Sequence, residues 1–173
     1  MVILGIDPGL ANTGWAVIET RGSSARARAY DVISSSADES LDVRLGRIYN
    51  RIGFAIRNYE PDCVSIESVY FGVNTRSAIW TAHARGAAIA AVASAGLPLG
   101  EYTPMQIKQA VVGTGSADKH QVTYMIRSIL ELDHDPKPDH CADALAAALC
   151  HANLSSTLAT AERQSRLGIT EGI

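Results

Sequence analysis

The order of apolar segments along the chain limits its fold more than any other sequence feature. Five segments have strand-like composition or spacing: residues 2–6, 14–19, 29–34, 62–67 and 97–103. Five others have the apolar spacing or composition of helices: the stretch that begins at residue 41 and residues 74–95, 104–112, 117–132 and 139–154. The resulting order, β-β-β-α-β-α-β-α-α-α, predicts an α/β fold in which a five-stranded mixed sheet is flanked by helices.

Length and composition are those of a globular chain. Of the 173 residues, 47% are hydrophobic and 19% are charged, which supplies enough apolar material for a sizeable core. We therefore expect one domain at residues 1–158, followed by a polar, flexible tail at residues 159–173.

Charge and cysteine content indicate the setting in which the chain works. The net charge of −3 argues against a nucleic-acid partner unless basic residues gather on one face. No apolar run is long enough to span a membrane, and the N-terminus lacks a cleavage signal, so we expect a cytoplasmic protein that does not bind membranes. The three cysteines lack CxxC spacing and are expected to be reduced thiols.

Two acidic residues each follow an apolar, strand-like segment directly. Asp7 ends the first segment and precedes Pro8 and Gly9, and Glu67 ends the fourth. If these two strands lie parallel and adjacent, both carboxylates stand at the same edge of the sheet. Each also has an ordinary explanation, because Asp-Pro-Gly is common turn chemistry and an acid at a strand end is often exposed.

The segment DHCAD, residues 139–143, places further polar groups at the start of an otherwise apolar helix. His140 and Asp143 are three residues apart and share one helix face. Helix capping and the helix dipole explain Asp139 well. They explain Asp143 less well, because it lies one turn into the helix between two alanines, where a carboxylate needs a partner such as a metal ion.

Zinc and harder metal ions make different demands on these residues. A zinc site that uses both Cys141 and Cys150 is disfavoured, because in a continuous helix they lie about 13 Å apart at about 1.5 Å per residue. Carboxylates without thiolates suit Mg²⁺ or Mn²⁺. Two such ions about 4 Å apart can position a water and stabilise the leaving oxygen in phosphodiester hydrolysis. The combination predicts a metal-dependent nuclease built on four residues: Asp7, Glu67, His140 and Asp143.

Five segments together resemble the RuvC family of bacterial Holliday-junction resolvases, within the ribonuclease H-like superfamily. They are GIDPGLANTGWAVIE at 5–19, PDCVSIESVYFGVN at 61–74, TRSAIWTAHARGAAIAAVA at 75–93, QIKQAVVGTGSADKHQV at 106–122 and DHCADALAAALCH at 139–151. The resemblance implies a ribonuclease H-like fold, a five-stranded mixed sheet flanked by helices. It also implies an endonuclease that resolves four-way DNA junctions by paired, symmetric nicks in recombination and DNA repair.

The resemblance assigns catalytic metal binding to the same four residues, Asp7, Glu67, His140 and Asp143, and implies two Mg²⁺ ions per site. Many family members have Asp at the position of His140. An imidazole nitrogen is a softer, neutral ligand, so it shifts the preference toward Mn²⁺. Its pKa near neutrality also suits it to proton transfer.

Basic and aromatic residues in the matched segments are the expected DNA contacts. They are Tyr70, Phe71, Arg76, Arg85, Lys108 and Lys119. Tyr70 matches an aromatic position that stacks on bases near the crossover, with Phe71 as the competing candidate. Solvated surface explains Arg76 and Arg85 equally well, whereas the motif match favours DNA for Lys108 and Lys119.

The resemblance further implies a homodimer with two active sites that works beside a RuvA–RuvB branch-migration motor. The helix at residues 74–95 fits a dimer contact, because its small residues let another helix approach closely. They are Ala78, Ala82, Gly86, Ala87 and Ala90. Packing of this helix against its own sheet is the alternative.

Three other functions compete with junction cleavage. An ATPase of the actin and Hsp70 type needs a second, duplicated domain, and the chain has only one GIDPG-like element. Another ribonuclease H-like nuclease, acting on RNA–DNA hybrids or linear DNA, would use the same acidic residues. A protein that binds junctions without cutting them is disfavoured by the intact acidic set.

Overall fold

The structure of the protein is a computed structural model that describes residues 1–68 and 75–166, with only the backbone described at 75–76 and 156–166. Within these residues the strands are β1 (Val2–Asp7), β2 (Asn12–Arg21), β3 (Ser24–Ser34), β4 (Cys63–Glu67) and β5 (Leu99–Tyr102). The helices are α1 (Leu41–Tyr59), α2 (Thr75–Ser94), α3 (Pro104–Val112), α4 (Lys119–Ile129) and α5 (Asp139–Arg166). The predicted order of elements is confirmed. Among the described residues, no helix is both long and apolar enough to cross a membrane.

The five strands form one mixed sheet with the order β3-β2-β1-β4-β5. β1 pairs antiparallel with β2 and parallel with β4, and the parallel register places Ile6 beside Ile66. Asp7 and Glu67 come next on the two strands, so both lie at the same edge of the sheet. Since successive side chains of a strand point to opposite faces, both acids project from the face opposite the two isoleucines.

A hydrophobic core lies on each face of the sheet. On one face, Leu4, Ile6 and Ile66 pack among residues of α1 and α2. On the other, Ile3 and Ile18 pack among residues of α3, α4 and α5. The two strand-end acids therefore project toward the face that α5 covers.

Helix α5 lies unusually close to the sheet. Apart from Asp143, every residue from Cys141 to Cys150 is buried, as expected for a helix that is apolar all round. The closeness depends on Gly5, where an added Cβ would lie 2.9 Å from the Cβ of Ala148. The Ser65 hydroxyl also donates a hydrogen bond to a backbone carbonyl of α5, that of Ala147, at 2.6 Å.

Several boundaries differ from those predicted. β2 and β3 extend further than expected because they pair along a long hairpin, and the alternating Arg and Ala residues at 25–29 hid the start of β3. α4 begins two residues later than predicted, because Asp118 is its N-cap and forms a capping box with Gln121. α5 continues past its predicted end at residue 154 to Arg166, through helix-forming residues without Gly or Pro. The division between a domain at 1–158 and a flexible tail at 159–173 stays a prediction.

Candidate active site

The turn after β1 holds Asp7 at the sheet edge. Thr13 is fully buried, and its hydroxyl donates a hydrogen bond to the carbonyl of Gly9 at 2.7 Å, which closes the loop between β1 and β2. Gly9 has no room for a side chain, since an added Cβ would lie against the backbone of Asn12. The Pro-Gly turn and the buried threonine together fix the backbone position from which the Asp7 side chain extends.

The start of α5 brings a second group of polar side chains to this edge. Gly14 lies directly opposite Asp7 in the antiparallel pairing. A Cβ added to Gly14 would lie 2.6 Å from the carbonyl carbon of His140 and closer still to its oxygen. Glycine at position 14 therefore lets the first turn of α5 rest on the sheet beside Asp7.

Three of the four predicted ligands lie close enough together to share one ion. Ligand atoms of Asp7, His140 and Asp143 all lie within 4.8 Å of one another, the only such group among the described residues. The His140 Nδ1–H donates a hydrogen bond to Asp7 Oδ2 at 2.7 Å. Glu67 lines the same cleft, of about 320 Å³, but is not a member of this tight group.

Burial and neighbouring negative charges raise the pKa values of two acids in this cleft, Glu67 and Asp143. Burial, followed by the charges of Asp7 and Asp143, raises the pKa of Glu67 to about 7. Burial and the Asp7 charge also raise the pKa of Asp143. The hydrogen bond to Asp7 raises the pKa of His140, which favours the protonated imidazole. A cluster whose members resist carrying negative charge together is one that a cation stabilises.

Two lysines line the cleft with these residues. Lys108 comes from α3, and its charge lowers the pKa of Glu67. Lys119, the first residue of α4, places its Nζ 2.9 Å from Asp139 and 3.7 Å from Asp143. The Asp118 cap fixes the start of that helix and hence the origin of the Lys119 side chain.

Of the other predicted DNA contacts, only Arg85 has a described side chain. Tyr70 and Phe71 lie outside the described residues, and the side chain of Arg76, near the start of α2, does as well. Arg85 is described: its guanidinium pairs with Glu101 on β5, and its Nε–H donates a hydrogen bond to the backbone carbonyl of Glu67 at 3.3 Å.

The cysteines take no part in this cleft. Cys63, Cys141 and Cys150 are free and buried. Burial raises the pKa of each thiol to about 11, so they are poor thiolate ligands.

The donor set fits a divalent metal ion. Three carboxylates and one imidazole converge on one cleft, two of the carboxylates have raised pKa values, and no thiolate is present in it. Oxygen-rich sets of this kind suit hard cations better than zinc. These groups are held by two parallel strand ends and one closely packed helix.

A family model described as "Crossover junction endodeoxyribonuclease RuvC" matches residues 3–151. The chain belongs to the RuvC family. Among its RuvC relatives, the protein of Desulforamulus reducens is 46% identical over 157 residues, which is 91% of this chain and 96% of the relative. The protein of Clostridioides difficile is 46% identical over 153 residues, which is 88% of this chain and 90% of the relative.

Solved structures agree with the family. Thermus thermophilus RuvC superposes with a TM-score of 0.84 at 39% identity, over 91% of this chain and 96% of that one. The same protein in complex with its Holliday junction substrate gives a TM-score of 0.87, with the same identity and coverage. Yeast mitochondrial Ydc2 superposes with a TM-score of 0.69 at 12% identity, over 96% of this chain and 86% of the Ydc2 chain. At that identity the likeness shows a shared fold alone. The expected ribonuclease H-like RuvC fold is confirmed.

Proposed function

We propose that this chain resolves four-way DNA junctions by paired, symmetric, metal-dependent nicks, within one nuclease domain at residues 1–158. The observation that supports this most strongly is one cleft that combines the acidic set with two lysines in a chain of the RuvC family. The proposed metal ligands and catalytic residues are Asp7, Glu67, His140 and Asp143.

The positions of the four proposed ligands suggest how each contributes to metal binding. These residues would hold divalent ions, which would supply a positioned water and charge stabilisation at the leaving oxygen of a phosphodiester. Asp7 and Asp143 lie closest together with His140, so these three form the compact part of the site. Glu67 adds a carboxylate from the neighbouring strand, and its raised pKa makes its charge depend on nearby cations.

We further propose that each site holds two Mg²⁺ ions and accepts Mn²⁺ more readily than a site with four carboxylates. The reason is His140, whose imidazole is a softer ligand than a carboxylate. The carboxylate-rich remainder of the set still favours hard ions.

The DNA contacts follow from the same cleft. Lys108 and Lys119 line it beside the acids, where a scissile phosphate would lie, and we assign them to the DNA backbone. Tyr70, Phe71 and Arg76 come soon after Glu67 in the chain, and we propose them as further DNA contacts on the family motif alone. The T. thermophilus relative was solved with a Holliday junction substrate, which agrees with this substrate class.

We also propose a homodimer that works with a RuvA–RuvB motor. On α2, Ala82, Gly86 and Ala90 are exposed, and Ile79 and Trp80 beside them are exposed large apolar residues. Small and apolar residues on one outward face suit close helix packing between subunits. Ala78, by contrast, is buried within its own chain, so α2 also packs against its own domain.

One experiment tests the proposed function directly. A four-way junction, a linear duplex and an RNA–DNA hybrid are each offered to the wild-type protein with Mg²⁺ or Mn²⁺. We expect paired nicks in the junction and little cutting of the other two substrates. Equal cutting of all three would exclude a resolvase, and preferred cutting of the hybrid would favour another ribonuclease H-like nuclease.

Asp7→Asn tests the assignment of the site. This variant should bind the junction as the wild type does but cut none of it, because one metal ligand is lost while the lysines remain. Asp133→Asn is the matched control, since Asp133 is exposed and does not line the cleft. Loss of junction binding together with cleavage in Asp7→Asn would instead show that Asp7 is mainly structural.

A further inference from the structure

Arg85 joins helix α2 to the sheet edge that carries Glu67. Its guanidinium forms an ion pair with Glu101, and its Nε–H donates a hydrogen bond to the Glu67 carbonyl at 3.3 Å. The Arg85 side chain is only 20% exposed. One arginine on α2 thus contacts the ends of two neighbouring strands, β4 and β5.

The strand geometry explains why Arg85 reaches Glu67 from the sheet face opposite the cleft. Glu101 and Leu99 share one face of β5, and Leu99 packs with the core that contains α1 and α2. The side chain of Glu67 points to the opposite face, into the cleft. Arg85 therefore holds Glu67 through its backbone while the carboxylate stays free to bind a cation.

Close packing keeps this contact in place. Ala84 and Ala88, on either side of Arg85 along α2, are fully buried against the sheet side of the helix. Beyond Glu67, the N–H of Ser68 donates to the carbonyl of Tyr102 at 2.8 Å, which fixes the end of β4 to β5. The Glu67 carbonyl accepts its hydrogen bond from α2 at this strand end.

We propose that Arg85 is a positioning residue: it sets the place of the Glu67 carboxylate by tying the end of β4 to α2 and to Glu101. This rests on the proposed function for the role of Glu67 as a metal ligand and for any effect on cleavage. A contact with a DNA phosphate is the competing role, and the ion pair with Glu101 and the low exposure of the side chain disfavour it.

The test measures metal binding and DNA binding separately. Mn²⁺ affinity is measured without DNA by the EPR signal of free Mn²⁺, and junction affinity is measured in EDTA across a range of salt concentrations. The variants are Arg85→Met, Arg85→Lys and Glu101→Gln. Arg28→Met, at an exposed position of edge strand β3, is the matched control for loss of an arginine.

For Arg85→Met we expect Mn²⁺ affinity to fall about tenfold, the lower range for loss of a group that supports a metal ligand. The Mn²⁺ affinity of Arg85→Lys should fall similarly, because the lysine ammonium lacks the planar guanidinium that reaches both acceptors. The Mn²⁺ affinity of Glu101→Gln should fall less. A double variant that combines Arg85→Met with Glu101→Gln should bind Mn²⁺ no more weakly than Arg85→Met alone, because both changes act through one contact. Partial unfolding would lower the number of sites rather than the titration midpoint.

Junction binding in EDTA distinguishes the competing role. We expect the affinity and its salt dependence to be unchanged in every variant. If Arg85 contacts a phosphate, its loss would instead reduce the slope of log K against log salt by about 0.9. That result, or wild-type Mn²⁺ affinity in Arg85→Met, would overturn the proposal. Should the wild type fail to cut junctions, the proposed function would fail while the Mn²⁺ titration still tested Arg85.

Discussion

Replacing Gly14 by alanine should damage the active site without touching any of its functional side chains. The added Cβ would lie 2.6 Å from the carbonyl carbon of His140. Ordinary carbon–carbon contacts are about 3.5 Å, so the two backbones must separate by at least about 0.9 Å, and the closer contact with the carbonyl oxygen requires more. Neither atom belongs to a flexible side chain, and therefore the first turn of α5 must move away from β2.

The size of the effect follows from that displacement. Overpacking of this kind costs about 1–3 kcal/mol of unfolding free energy. For a chain of this length that corresponds to a fall in Tm of about 2–4 °C for each kcal/mol. His140 and Asp143 both belong to the displaced start of α5 and would move with it. A misplacement of about 1 Å can slow catalysis about 100-fold. We expect that loss in single-turnover cleavage of a four-way junction at saturating Mg²⁺.

The matched control is Gly46→Ala. Gly46 lies within α1, and an added Cβ there meets nothing within 4 Å. Alanine in a helix is favoured over glycine by about 0.5–1 kcal/mol, so this variant should be slightly more stable and fully active. Wild-type cleavage by Gly14→Ala would refute the argument that the close approach at Gly14 positions the ligands. A lowered Tm with intact cleavage would restrict the role of Gly14 to packing.

Two further predictions concern the charge of the site. A metal ligand must be deprotonated, and the pKa of Glu67 is raised to about 7, so isothermal titration should show metal affinity rising from pH 6 to pH 8. The raised pKa of His140 acts in the same direction. Glu67→Gln should weaken metal binding and flatten its rise with pH. An unchanged pH profile in that variant would contradict the assignment of Glu67 as a metal ligand. His140→Asp should shift the preference from Mn²⁺ toward Mg²⁺, measured as the ratio of cleavage rates with the two ions. An unchanged ratio would mean that the imidazole does not tune the metal site.

The sequence alone predicted the parts of the site that depend on local pattern. Asp7 and Glu67 were expected at one edge because each ends an apolar strand, and the parallel register of β1 and β4 places them there. His140 and Asp143 were expected on one helix face because they are three residues apart, and their ligand atoms do lie close to that of Asp7.

What the sequence did not predict depends on distances between distant elements. Gly14 reads locally as an ordinary strand glycine, and only the packing of α5 shows that its missing side chain makes room for His140. Arg85 reads as a surface cation or a DNA contact, since its partner Glu101 belongs to another element and becomes a neighbour only through the order of the strands. Neither could be found without knowing how α2 and α5 lie on the sheet.

The imidazole at position 140 also changes the charge balance of the cleft. Burial, and after it the charges of Asp7 and Asp143, already raise the pKa of Glu67 to about 7. A fourth carboxylate in place of His140 would add a charge beside Asp7, where the imidazole now donates a hydrogen bond. That charge would raise the pKa of Glu67 further and make the site more dependent on bound cations. The histidine thus has an electrostatic consequence in addition to its proposed role as a softer metal ligand, because three carboxylates beside an imidazole repel one another less than four carboxylates would.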